Sequence, residues 1–145
     1  MFYKSLLLFT FIGFLGVASC KNEPKPKSPE DILFKQVMRV HNEVMPKMKK
    51  LDEAKQRAQL LLDTLAGSRQ SSDSAYAQQL QSLIQELDNA SFVMGTWMKE
   101  FQYDKDRINQ ELRIKYLESE LKKVTVVKTA ILNSLSRADS LIRQP

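Results

Sequence analysis

One histidine and a set of methionines at helical intervals around it are the residues of this chain best suited to chemistry. Met38, Met45 and Met48 stand three before, four after and seven after His41, which puts all four on one face of a helix. Met94 and Met98 flank Trp97 further along. Thioether sulfur is a soft donor that selects Cu(I), and imidazole adds a stronger one. His41, Met38, Met45, Met48, Met94 and Met98 are therefore a candidate soft-metal site, with copper the implied cofactor. The same residues have a plain packing role, because methionine fills irregular core gaps and sits well against aromatic edges. A b-type haem between His41 and a methionine is disfavoured, since haem bundles usually offer a fourth helix and a roomier core. Apart from that copper alternative, nothing points to an enzyme or a resident cofactor. There is no Gly-rich phosphate loop, HExxH or spaced acid pair. His41 and Glu43, two residues apart on a helix, point to different faces.

The single cysteine, Cys20, ends the run Leu15-Gly16-Val17-Ala18-Ser19-Cys20. Before it come Lys4 and an apolar stretch from Leu6 to Val17. After it comes Lys21-Asn22-Glu23-Pro24-Lys25-Pro26-Lys27-Ser28-Pro29. A positive start, a short apolar middle and small residues at the cut are the layout of a secretory signal. The cysteine at the cut resembles the lipobox of bacterial lipoproteins. That resemblance implies lipidation of the Cys20 thiol, cleavage before it and acylation of the new amino terminus. The run falls short of the roughly 20 residues that span a bilayer as a stable helix, and the alternative, a short anchor left uncleaved, is disfavoured because the small residues and the cysteine coincide at the cut. With Cys20 modified no thiol remains for disulfides, thiolate metal sites or nucleophilic catalysis. Two or more acyl chains hold a protein stably on a membrane. Lys21 after the cysteine, in place of aspartate, implies the outer membrane by the same resemblance.

The expected organisation is a signal peptide over 1–19, a lipidated cysteine and Pro/Lys-rich tether over 20–28, and a helical domain over 29–145. Removing 1–19 takes one base, Lys4, and no acid, so lysine plus arginine falls from 22 to 21 against 17 acids. The mature charge is mildly positive. Acids and bases are interspersed, and no basic stripe alternates with aromatics, so no nucleic-acid partner is expected. The expected partners are the membrane, through the lipid, and another envelope protein.

The elements that must position these residues are long helices. Ser28-Pro29-Glu30-Asp31 is a helix start, with serine as cap, proline at the first helical position and acids at the positive end of the dipole. A seven-residue stripe follows: Val37, His41, Val44, Met48, Leu51, Lys55, Ala58, Leu62, Leu65. Gly67 offers a left-handed stop. The second stripe is Tyr76, Leu80, Leu83, Leu87, Ala90, Met94, Trp97, Phe101, with a break near Tyr103 to Asp106. The third is Leu117, Leu121, Val124, Lys128, Ile131, Leu135, Ala138, Ile142. Short links between long helices force antiparallel neighbours. The fold expected is all-α, an up-down-up antiparallel three-helix bundle. Gly67 and the serines after it count against the alternative, one extended coiled coil.

Pro46 predicts a kink, because it cannot donate to the Asn42 carbonyl. Antiparallel geometry places His41 level with Met98 and Met45 level with Met94, with Trp97 among them at the end nearest the tether. Gly95 in that patch implies close backbones or a space. Lys55 and Lys128 interrupt their stripes at one height near Ile84, and their stems are expected on the core with their heads in water. A catalytic lysine there lacks a second acid–base group fixed by spacing.

The segments His41-Asn42-Glu43-Val44-Met45-Pro46-Lys47-Met48 and Met94-Gly95-Thr96-Trp97-Met98-Lys99-Glu100-Phe101 resemble a family of small envelope lipoproteins often labelled "viral A-type inclusion protein". The resemblance runs over most of the mature chain, including the helix from Tyr116 to Ile142. It implies a helical fold and an envelope location, and no activity. Asn42 stands where the family pattern leads one to expect aspartate, which weakens any carboxylate ligand there.

Overall fold

A computed structural model describes residues 28–66 and 72–142. The expected signal peptide, Cys20, the tether up to Lys27, the Gly67 stop and the serine-rich link lie outside the described residues. The described residues form four α-helices: α1 (Pro29–Val44), α2 (Met48–Ala66), α3 (Ser72–Glu100) and α4 (Gln110–Ile142). No strand occurs among the described residues.

The start of α1 follows from its first four residues. Ser28 is extended, and its Oγ accepts a hydrogen bond from the Asp31 N–H at 3.2 Å. That satisfies one of the donors a helix leaves unpaired at its beginning. Pro46 acts more sharply than a bend. The α-helix ends at Val44, and Met45–Lys47 form one 3-10 turn before α2 resumes at Met48. Proline has no N–H for the preceding turn and its ring crowds the Asn42 carbonyl, so the ladder tightens to three-residue spacing there. The expected first helix is thus two helices end to end.

This break changes which neighbour the helix meets. α1 lies against α4, whereas α2 lies against α3 and meets α4 only over a shorter stretch. Cross-helix contacts fix the directions. His41 sits beside Trp97 and Lys55 beside Asp88, so the α1–α2 line and α3 run in opposite senses. Tyr76 donates to the Leu141 carbonyl and Trp97 to Glu120, so α3 and α4 also run in opposite senses. The Lys128–Glu43 pair at 2.7 Å joins α4 to α1.

The buried residues follow two of the expected stripes closely. Val37, Val44, Leu51 and Ala58 are fully buried at intervals of seven, and their stripe partners His41, Met48, Lys55, Leu62 and Leu65 are half-buried. On α3 the buried set is Leu80, Leu83, Leu87, Ala90, Met94 and Trp97, with Tyr76 and Phe101 half-buried at its ends. Each such aliphatic side chain contributes about 1.5–3 kcal/mol on leaving water.

On α4 the expected stripe is half right. Leu117, Val124, Ile131 and Ala138 are buried as expected, but the fully buried companions are Glu120, Val127, Ser134 and Leu141. They stand one residue before the expected Leu121, Lys128, Leu135 and Ile142. Glu120, Ser134 and Leu141 all reach α3 through hydrogen bonds, so that flank of the seam is closed. The expected flank faces α1 and α2, where Lys128 meets Glu43 and Leu135 lines a groove, and it stays half-buried.

The link between α3 and α4 is built rather than slack. Backbone N–H groups of Lys105, Arg107 and Asn109 donate to the carbonyls of Gln102, Asp104 and Asp106. Asp106 takes φ 57°, a left-handed position that aspartate tolerates better than most residues. Asn109 Oδ1 then accepts from the Leu112 N–H at 3.1 Å and caps α4.

Candidate functional site

The first candidate is the histidine–methionine end. The fold brings the two methionine-bearing segments together, since the His41 and Trp97 rings are 5.6 Å apart. Met94 is fully buried, Met45 and Met48 pack half-buried against the core, and Met38 is half-buried. Met98 is 43% exposed and stands outside that layer. Met94 and Trp97, three residues apart, define the inward face of α3, and one residue further rotates Met98 about 100° away. His41 Nδ1 lies 2.9 Å from Asn42 Oδ1, an arrangement in which the Nδ1–H donates to the amide oxygen. A side chain added at Gly95 would meet nothing within 4 Å, so of its two expected roles the space is the one found. Among the described residues no group of three or more histidine, cysteine, aspartate and glutamate side chains is placed to hold a metal.

Aromatic rings continue from this layer toward the start of α1. Trp97 lies 5.0 Å from Phe101, Phe101 6.1 Å from Tyr116 and 6.4 Å from Phe34, and Phe34 meets Tyr103 edge-on at 5.0 Å. Such pairs each add about 0.5–1.5 kcal/mol beyond their buried area. Two buried polar groups fix the arrangement, and neither was expected. Glu120 accepts from Trp97 Nε1 at 2.9 Å and from Lys123 Nζ at 2.9 Å. That hydrogen bond holds the Lys123 ammonium above its ordinary range. Arg113 is buried with its guanidinium against Phe34 and Tyr116, and its Nη1 donates to the Lys105 carbonyl at 2.9 Å. Burial pushes the Tyr116 hydroxyl up, and the hydrogen bond it accepts from the Gln102 N–H partly offsets this. The missed signal is the charged interruption of an apolar heptad three residues after Leu117, placed level with an indole N–H.

Lys55 and Lys128 are half-buried, and each head meets a carboxylate of a neighbouring helix rather than water alone. Lys55 reaches Asp88 at 2.6 Å and Lys128 reaches Glu43 at 2.7 Å. Spacing along one helix could not show these acids, because both lie across an interface.

The second candidate is a groove of about 730 Å³ between α2 and the last turns of α4. Ala54, Leu132, Leu135, Ala138 and Ile142 supply its apolar lining. Lys47, Lys50 and Arg57 stand along the α2 side, and Asp139 with two serines along the α4 side. The groove begins beside the 3-10 turn at Met45–Lys47, past which α2 lies against α3 and meets α4 only over a shorter stretch. Pro46 was legible as a kink, but not as the end of one helix and the start of another.

No protein-family model, curated protein or solved structure matches the chain.

Proposed function

We propose that this chain is a lipid-anchored helical interaction module of the bacterial envelope, an up-down-up three-helix bundle that holds a helix of a partner protein in the groove between α2 and α4. The anchor reading rests on the run of small residues ending in Cys20. It is supported by the tether, which ends at the Ser28 cap where the folded domain begins. On this reading the acyl chains of Cys20 carry the attachment; no helix among the described residues is long and apolar enough to cross a membrane. Loss of fatty-acid analogue from a Cys20→Ala chain tests this, and equal label on both chains removes the anchor.

The groove carries the interaction reading. Its apolar floor lies between two helices, the shape that receives an amphipathic helix. Its walls differ in charge. Lys47 of the 3-10 turn and Lys50 and Arg57 of α2 line one wall, where Glu53 is engaged with Lys49 at 3.6 Å, while the α4 wall carries Asp139. The occupant is a partner helix with an apolar stripe and acids on the flank that faces α2. A photo-crosslinking residue at Leu135, read in intact cells, should trap one discrete partner, and Lys50→Glu with Arg57→Glu should abolish the adduct. The same residue at exposed Phe92 should trap none. Equal labelling from both positions, or a dimer of this chain, overturns the partner-helix reading.

A further inference from the structure

We infer that the tether end of the domain seats directly on the bilayer, with the α3–α4 turn dipping into the headgroup region and Ile108 as its foremost residue. The orientation rests on the anchor reading, while the apolar surface itself is read from the fold. Eight large apolar residues are exposed among the described residues, and five of them (Ile32, Met98, Tyr103, Ile108 and Leu112) lie at the end where α1 starts and α3 passes into α4. The other three, Leu60, Phe92 and Val126, are scattered singly along the helices, which is ordinary for a soluble surface.

Ile108 is 104% exposed. A loose loop would fold such a side chain back onto nearby rings. This turn is pinned from beneath, by Arg113 Nη1 on the Lys105 carbonyl and Tyr116 Oη on the Gln102 N–H, and it presents Ile108 outward. Tyr103, in the same turn, has its ring at right angles to Phe34 and the Arg107 guanidinium 5.7 Å from its centroid. An apolar residue at the tip, with tyrosine and long cationic stems behind it, is the arrangement that lies well at a membrane interface.

The length of chain before α1 says what faces this surface. Eight residue steps separate Cys20 from Ser28, which reach at most about 26–29 Å when fully extended. α4 alone has 33 residues, about 50 Å of helix. The tether is shorter than the domain and joins it at the end bearing the apolar tip, so lipidation holds that end nearest the bilayer. Charge does little here. Lys105 and Arg107 alternate with Asp104 and Asp106, and Arg107 is already paired with Asp104 at 2.7 Å. The contact is driven by apolar burial and is indifferent to salt and to anionic lipid.

Lipidation consumes the only native thiol, so Ile108→Cys gives the mature lipidated chain a single site for a nitroxide label. In phosphatidylcholine–phosphatidylethanolamine vesicles the label at 108 should be shielded from a water-soluble nickel relaxant and open to oxygen. A label at Leu60→Cys should show the reverse, and molar salt should change neither. Equal nickel access at the two sites overturns the seat, as does shielding at 108 that appears only with anionic lipid. If the mass spectrum shows Cys20 unmodified, the anchor reading fails by itself. The same label is then read on the mature Cys20→Ser chain with excess vesicles, where shielding at 108 upholds the seat and its loss overturns it.

Discussion

The two halves of this domain are held together in different ways. Around α2 and the first half of α3 the core is aliphatic, built from Leu51, Ala58, Leu80 and Leu83, and one side is left open as the groove. Around the start of α1 and the α3–α4 turn, rings replace aliphatics and buried polar groups are tied by directed bonds: Trp97 to Glu120, Arg113 to the Lys105 carbonyl, Gln102 to Tyr116. Aliphatic packing is non-directional and tolerates an unfilled side. A buried carboxylate or guanidinium tolerates none, because an unpaired charge away from water is costly. The first region suits adaptable contact with another helix, and the second suits holding a turn rigid against a surface.

The largest expected effect breaks the aliphatic half. Leu83→Asp places a charge with no partner at a fully buried position, and it should cost more than about 4 kcal/mol and unfold the domain. A far-UV melting curve unchanged from wild type would sink the assignment of that seam. The polar half should respond to loss of one partner more than to loss of both. Glu120→Leu strands the Trp97 N–H and should cost about 1–3 kcal/mol by denaturant titration. Adding Trp97→Phe should cost less than the sum of the two single changes, whereas strict additivity would mean the bond carries no coupling.

Smaller effects sharpen the boundary between the halves. Met45→Leu and Met48→Leu should each cost under about 1.5 kcal/mol if these side chains only fill space. Anaerobic competition with a chromogenic Cu(I) chelator should leave no copper on the wild-type protein. Copper retained by wild type and lost in these variants, with the fold intact, would make the His41 layer a soft-metal site. The smallest effect is alkaline. Tyr116 and Lys123 both have their pKa raised by folding, so the folded state keeps their protons longer than the unfolded chain does. Their contribution is complete below about pH 10 and falls as pH rises through the folded values. Tyr116→Phe should flatten part of that decline, and an identical slope in the variant would assign it elsewhere.

Much of the fold was legible because its signals are local. Ser28-Pro29-Glu30-Asp31 states a helix start in four residues, since cap, ring and dipole act within one turn. The α3 stripe from Leu80 to Trp97 was legible because one apolar face runs without interruption. On α4 the same logic reached only the central seam. Apolar residues flank that seam on both sides, Val127 and Leu141 on one and Leu121, Leu135 and Ile142 on the other. A seven-residue period accepts either companion. Met98 was placed in the methionine layer by counting levels along the helix, which ignores the turn of about 100° per residue.

Sequence by itself determined the helical class, the start of α1 at Ser28, a distortion at Pro46 and the meeting of the His41 and Trp97 segments. Each depends on hydrogen bonds or periodicities within a few residues, or on the reflection of one helix about a short turn. Tertiary structure alone decided which flank of α4 is sealed, because that depends on how far α3 and α2 stand from it. It decided that Glu120 is buried, since only an indole N–H from another helix makes a carboxylate tolerable there. It also decided that a groove lies between α2 and the end of α4 and that the α3–α4 turn presents Ile108 outward. Both are consequences of where the neighbouring helices lie, and no residue records that in its own stretch of chain.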